Sequence, residues 1–121
     1  MSDPTALAER YIAAWNETDE AGRRRAVAEL WTDDGRYVDP LVEVQGIDGI
    51  AATIGAVQQQ FPGFVFRLAG PADGHHEQVR FSWELGPAGQ DAPIAGSDVA
   101  VTDGNGRLRA VLGFLDRVPT P

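Results

Sequence analysis

The chain contains no cysteine and no lysine, so all ten of its permanent cations are arginine. Without cysteine there is no disulfide framework and no thiolate chemistry, which suits a cytoplasmic protein. Without lysine, Schiff-base catalysis is excluded outright. No apolar run approaches the roughly 20 residues that a membrane-crossing helix needs. Met1–Ser2–Asp3–Pro4 opens straight into a helical pattern rather than the basic-then-apolar layout of a signal peptide. Positive charge is scarce as well. Ten cations face 18 carboxylates for a net charge of −8, which argues against nucleic acid or an anionic membrane surface as partner.

Candidate ligands for metals and cofactors are equally thin. The two histidines, His75 and His76, are adjacent. Neighbours on a strand point to opposite faces, and no carboxylate stands at ligand spacing, so no metal is expected. Gly46-x-x-Gly49 leads into a helix but lacks the third glycine and the preceding strand of a nucleotide-binding turn. No cofactor is expected.

What remains is an ordinary globular composition, 121 residues of which 43% are hydrophobic, enough for one domain over 1–121 with a real core. Leu7, Tyr11 and Trp15 recur at i, i+4, i+8 with Ala8 and Ile12 beside them, which predicts a helix over 5–16. Thr18 or Asp19 can cap a second helix running to about Thr32, with Arg23–Arg24–Arg25 on its solvated face. A third helix follows Gly46, carried by Ile47, Ile50, Ile54, Val57 and Phe61 and stopped by Pro62–Gly63.

Between the second and third helices, Tyr37–Val38–Asp39 reads as a short strand extended by Leu41–Val44 after a turn at Pro40. Four strands close the chain: 64–69, 78–85, 94–101 and 108–115, separated by glycine-rich turns. Asp103–Gly104–Asn105–Gly106 is the strongest hairpin signal among them. The expected fold is α+β, a curved antiparallel sheet wrapped around three helices and enclosing a cone-shaped pocket. Its convex side needs a cover, so a homodimer is expected.

One stretch concentrates the chemistry. Alternation sends Tyr37 and Asp39 to one face, and Pro40 offers no amide proton to the carboxylate. An Asp39 facing an apolar hollow is thereby expected to be poorly solvated and weakly hydrogen-bonded, hence a better base than a surface Asp. Asp98 lies in an apolar strand where a lone charge is costly. If it faces the concave side, Ala100 and Thr102 join it while Val99 and Val101 face away.

These residues resemble a family. The order of elements, the helix Arg10–Tyr11–Ile12–Ala13–Ala14–Trp15–Asn16, the strand ending Val38–Asp39–Pro40, and Ala95–Gly96–Ser97–Asp98 before a glycine-rich hairpin are similar to the cystatin-like α+β cone. That superfamily includes nuclear transport factor 2, ketosteroid isomerase and the SnoaL-like polyketide cyclases, and the resemblance covers about residues 5–117. Against ketosteroid isomerase it matches Asp39 to the proton-moving Asp before a Pro, and Tyr11 and Asp98 to the oxyanion hole. Against the cyclases it matches Asp98 to a single aldol base. The Asp-Arg-Asp arrangement of epoxide hydrolases of this fold is absent, since Arg80 is followed two residues on by Ser82.

The resemblance implies proton transfer on a small apolar carbonyl compound, without a cofactor. Asp39, Asp98 and Tyr11 would be the catalytic residues, the two acids sharing the base and polar-anchor roles and Tyr11 or Tyr37 donating to the oxygen. Trp15, Trp31, Tyr37, Trp83 and Phe114 would line the substrate site, the tryptophans filling space without chemistry of their own. With only two tyrosines and three tryptophans, a non-catalytic ligand-binding module is the alternative, and a cone packed shut by its aromatics is a third reading.

Overall fold

The computed structural model describes residues 3–119. Helix α1 (Pro4–Asn16) starts where Asp3 accepts from the Thr5 amide, with Pro4 set for the first turn. It buries Leu7, Ala8, Tyr11, Ile12, Ala14 and Trp15, the predicted stripe. Helix α2 (Glu20–Leu30) is capped by Asp19, which accepts from the Gly22 amide. It stops two residues earlier than predicted because Trp31 is already the first residue of strand β1 (Trp31–Val38). Strand β2 (Glu43–Gln45) follows the turn at Pro40, and helix α3 (Ile47–Gln60) then begins after Gly46, whose φ of 91° requires glycine.

Strands β3 (Phe64–Leu68), β4 (Asp73–His75), β5 (Gln78–Pro87), β6 (Ile94–Thr102) and β7 (Leu108–Arg117) complete the chain. The sheet order is β2-β1-β7-β6-β5-β3, with β4 paired to β5. The α+β cone is therefore as expected, with two differences. Strand β4, three residues inside a predicted turn segment, was not legible. The sheet is also mixed: β1 runs parallel to β7, because the chain leaves β1 through α3 and returns by the meander to lie along it. A bulge between Trp31 and Arg36 absorbs the mismatch in that pair. The hairpin at 103–106 forms as predicted, with Asp103 Oδ1 accepting from the Asn105 and Arg107 amides.

The helices cover the concave side. Helix α1 lies against β3 and β5, and α3 against β1 and β2. Trp31, Phe81, Ile50, Ile54 and Leu108 are the largest fully enclosed side chains. Val79, Phe81, Trp83 and Leu85 all face inward from β5, so this aromatic face belongs to the core.

The C-terminal end of α1 is tied down from two sides. Asn16 pairs with the edge strand, its Nδ2 donating to the Phe66 carbonyl and its Oδ1 accepting the Phe66 amide, both at 2.8 Å. Gln58 on α3 donates to the carbonyls of Trp15 and Glu17, and accepts from Arg23. Arg23 thus clamps the helix layer, and its neighbour Arg24 adds an exposed ion pair to Asp48 on α3. These bonds hold Tyr11 and Trp15 in place over the sheet.

Candidate functional site

The curled sheet and α1 enclose a cavity of about 260 Å³. Its buried end is formed by Tyr11, Trp15 and Asp98, and its walls by Tyr37, Phe66 and Trp83. Asp39 and Gly113 also reach it. Its mouth is mainly apolar: Leu41, Phe114 and Val118 line it while remaining 79%, 61% and 53% exposed, beside the exposed Gln60. The third reading, a cone packed shut, is excluded. Trp31 is misplaced in the sequence-based site: it is not part of the cavity lining but stands behind it, against Tyr11 and Tyr37. His75 and His76 sit exposed at the β4–β5 turn, away from the cavity. Among the described residues no cluster could hold a metal ion.

Asp98 is 2% exposed, and Ala100 shares its concave face as the alternation required. Burial pushes its carboxyl up to about 7; the nearby Trp83 indole and Tyr11 hydroxyl pull the other way, while the charges of Asp39 and Asp116 add to the rise. Its Oδ1 has no hydrogen-bond partner among the described residues, and neither do Tyr11 Oη nor Trp15 Nε1. Burial also raises the Tyr11 hydroxyl well above its ordinary value; the Asp98 charge adds to it, and the neighbouring Trp15 indole pulls the other way. Tyr11 is therefore a neutral donor at any working pH.

Asp39 differs from its expectation. It is half-buried, and three donors hold it: Tyr37 Oη at 2.7 Å and the amides of Leu41 and Val42 at 2.8 and 2.9 Å. Pro40 does lack a proton to give, but the turn it creates folds the next two amides back onto the carboxylate. The weakly bonded base of the sequence reading is in fact the better-satisfied of the two acids. Tyr37 is raised in turn, first by burial, then by the Asp98 charge and by its bond to Asp39.

Sequence reasoning missed Gly113. It pairs with Asp98 across β6–β7, and a Cβ there would stand 2.7 Å from Asp98 Oδ1 and 3.5 Å from Asp39 Cβ. The bare backbone is what lets both acids reach the same hollow. A lone glycine inside the apolar run 108–115 was the available signal.

A profile of the SnoaL-like domain matches residues 8–111. The chain belongs to the SnoaL-like family. A SnoaL-like candidate isomerase from Agrobacterium tumefaciens superposes with a TM-score of 0.88 at 47% identity, over 92% of this chain and 95% of that one. A candidate SnoaL-like polyketide cyclase from Jannaschia matches with a TM-score of 0.71 at 18% identity, over 96% and 90% of the two chains. An NTF2-like protein from Cytophaga hutchinsonii gives 0.69 at 12%, over 96% and 92%. These last two share the fold alone. Among curated proteins, none matches the sequence. No helix among the described residues of this SnoaL-like chain is long and apolar enough to cross a membrane.

The raised carboxyl has a thermodynamic consequence. An unfolded Asp titrates near 3.9, whereas Asp98 titrates at about 7 in the fold. Between those values the native protein keeps a proton that the unfolded chain has lost. The stability Asp98 contributes is therefore full below about pH 4 and is lost as pH rises toward 7. Urea denaturation should show Asp98→Asn gaining on the wild type by a few kcal/mol between about pH 4 and pH 7. A difference that stays constant with pH would contradict the burial argument.

Proposed function

We propose that this SnoaL-like protein catalyses cofactor-independent proton transfer on a small apolar carbonyl compound. The observation that carries the reading is Asp98, a buried carboxyl at about 7 beside an undeprotonated Tyr11 in a largely apolar cavity. A general base works best when its pKa lies near the working pH, and Asp98 meets that condition.

In this reading the Asp98 carboxylate takes the proton from the carbon next to the carbonyl. The C–H electron pair moves into the enolate, and the charge gathers on the oxygen. Tyr11 donates to that oxygen. Tyr37 is not available for that task, because its hydroxyl already donates to Asp39. Asp39 is then the polar anchor near the opening rather than the base. The proton on Asp98 returns to a different carbon in an isomerisation. In a cyclisation, the enolate carbon instead attacks a second carbonyl of the same molecule, and the alkoxide so formed takes the proton from Asp98. The SnoaL-like candidate isomerase at 47% identity favours the first outcome.

A non-catalytic binding module is the second reading, and the saturated Asp39 is what favours it. Deuterium exchange into a bicyclic ketone such as 2-tetralone separates the two. Asp98→Asn should lower the catalysed rate by about 10²-fold or more and Tyr11→Phe by a similar factor, with Asp39→Asn costing less than about tenfold. The wild-type rate should rise with pH through about 7, as Asp98 ionises. Equal rates in all four proteins would leave only the binding module.

The protein is further proposed to act as a homodimer. Leu112 is the exposed cross-strand neighbour of Val38 and Val99, on the face opposite Asp98 and Gly113. Light scattering of the wild type should give twice the chain mass, and Leu112→Glu should shift it toward one. A wild type that is monomeric at every concentration would refute this.

A further inference from the structure

Three buried polar atoms without a partner, Tyr11 Oη, Trp15 Nε1 and Asp98 Oδ1, all belong to side chains that form the closed end of one cavity. Leaving such an atom unpaired costs about 1–3 kcal/mol, and folded proteins rarely leave several together unless something else completes them. Their chemistry is not symmetric. An indole N–H only donates, a neutral tyrosine donates and accepts, and a carboxyl near its midpoint can do either. Tyr11 and Trp15 are one helical turn apart on α1, with ring centroids 6.1 Å apart, so two donors come from one rigid face.

We infer that Trp15 is a ligand-binding residue whose indole N–H donates, together with the Tyr11 hydroxyl, to one oxygen at the buried end of the ligand. Trp15 was expected to fill space without chemistry. Its N–H points to one, since it stands near the Tyr11 hydroxyl yet has no partner at hydrogen-bond distance. The inference rests on the proton-transfer reading and sharpens it: the carbonyl oxygen takes the two donors of α1, and the neighbouring carbon faces Asp98 on β6.

Size and polarity narrow the ligand further. A cavity of about 150 Å³ accommodates benzene. The 260 Å³ here suits a compound of about two fused rings. Leu41, Phe114 and Val118 give the mouth a mainly apolar rim, with Asp39 and Gln60 as its polar members, so the far end of the ligand is largely hydrocarbon. The class is a bicyclic-sized, hydrocarbon-rich carbonyl compound that enters oxygen first.

Affinities of 2-tetralone and of its hydrocarbon, tetralin, test the assignment by calorimetry. The wild type should prefer the ketone by tenfold or more, and Trp15→Phe should cut that preference about tenfold, the effect of one hydrogen bond. Tetralin serves as the control for the volume that the smaller ring leaves. Should Trp15→Phe fold poorly, the indole N–H resonances of the ¹⁵N-labelled wild type answer instead. One of them should move downfield with 2-tetralone and stay put with tetralin. A preference that survives Trp15→Phe but falls in Tyr11→Phe, or indole signals indifferent to the ketone, would overturn the role of Trp15 and leave the proton-transfer reading intact. A Trp15-dependent preference with no catalysed exchange would instead sink the catalytic reading and keep Trp15 as a binding residue.

Discussion

The structure depends on one constraint: a carboxyl group is held at the closed end of an apolar hollow with too few partners. Placing an ionised carboxylate in such surroundings is costly, and the group responds by holding its proton to a higher pH. Asp98 shows that response, and the other features of the site follow from it. Tyr11 beside it is kept neutral by the same burial and by the neighbouring negative charge. Asp39, nearer the opening, avoids the same cost because the turn at Pro40 supplies two amides and Tyr37 a hydroxyl. Two aspartates of identical chemistry thus stand in different surroundings.

The fold keeps this arrangement in place from outside the cavity. Asn16 supplies the backbone pairing that the edge strand β3 would otherwise lack, and Gln58 satisfies carbonyls left open at the end of α1. Neither residue touches the hollow, yet both set the position of the helix that carries Tyr11 and Trp15. On the opposite wall, Gly113 makes room for Asp98. Gly96 does the same for Trp83, since a Cβ there would fall 2.3 Å from the indole ring. The cavity therefore owes as much to missing side chains on β6 and β7 as to the aromatic ones that line it.

Much of this was legible in the residues. The Leu7–Tyr11–Trp15 stripe, the α3 isoleucines and the Asp103 hairpin each carry a local period or turn signal, and each formed as read. The likeness of Val38–Asp39–Pro40 and Ala95–Gly96–Ser97–Asp98 to the α+β cone brought both acids into view, and both reach the cavity. What could not be read was tertiary. The parallel pairing of β1 with β7 and the three-residue β4 leave no periodic trace. Trp31 looked like a pocket wall because its ring is large and apolar, but a helix–strand junction placed it one layer too deep. The environment of Asp39 was misjudged because the missing amide of Pro40 was visible in sequence while the two amides returned by the turn were not.

The central claim is that Asp98 is desolvated enough to titrate near neutrality. Selective ¹³C labelling of aspartate and an NMR titration of the Asp98 side-chain carboxyl measures this directly, with Asp98→Asn identifying the signal. The account predicts a midpoint of about 7 for this one resonance. A midpoint near 4, the value of an Asp in water, would show that the carboxyl is solvated and would contradict the account.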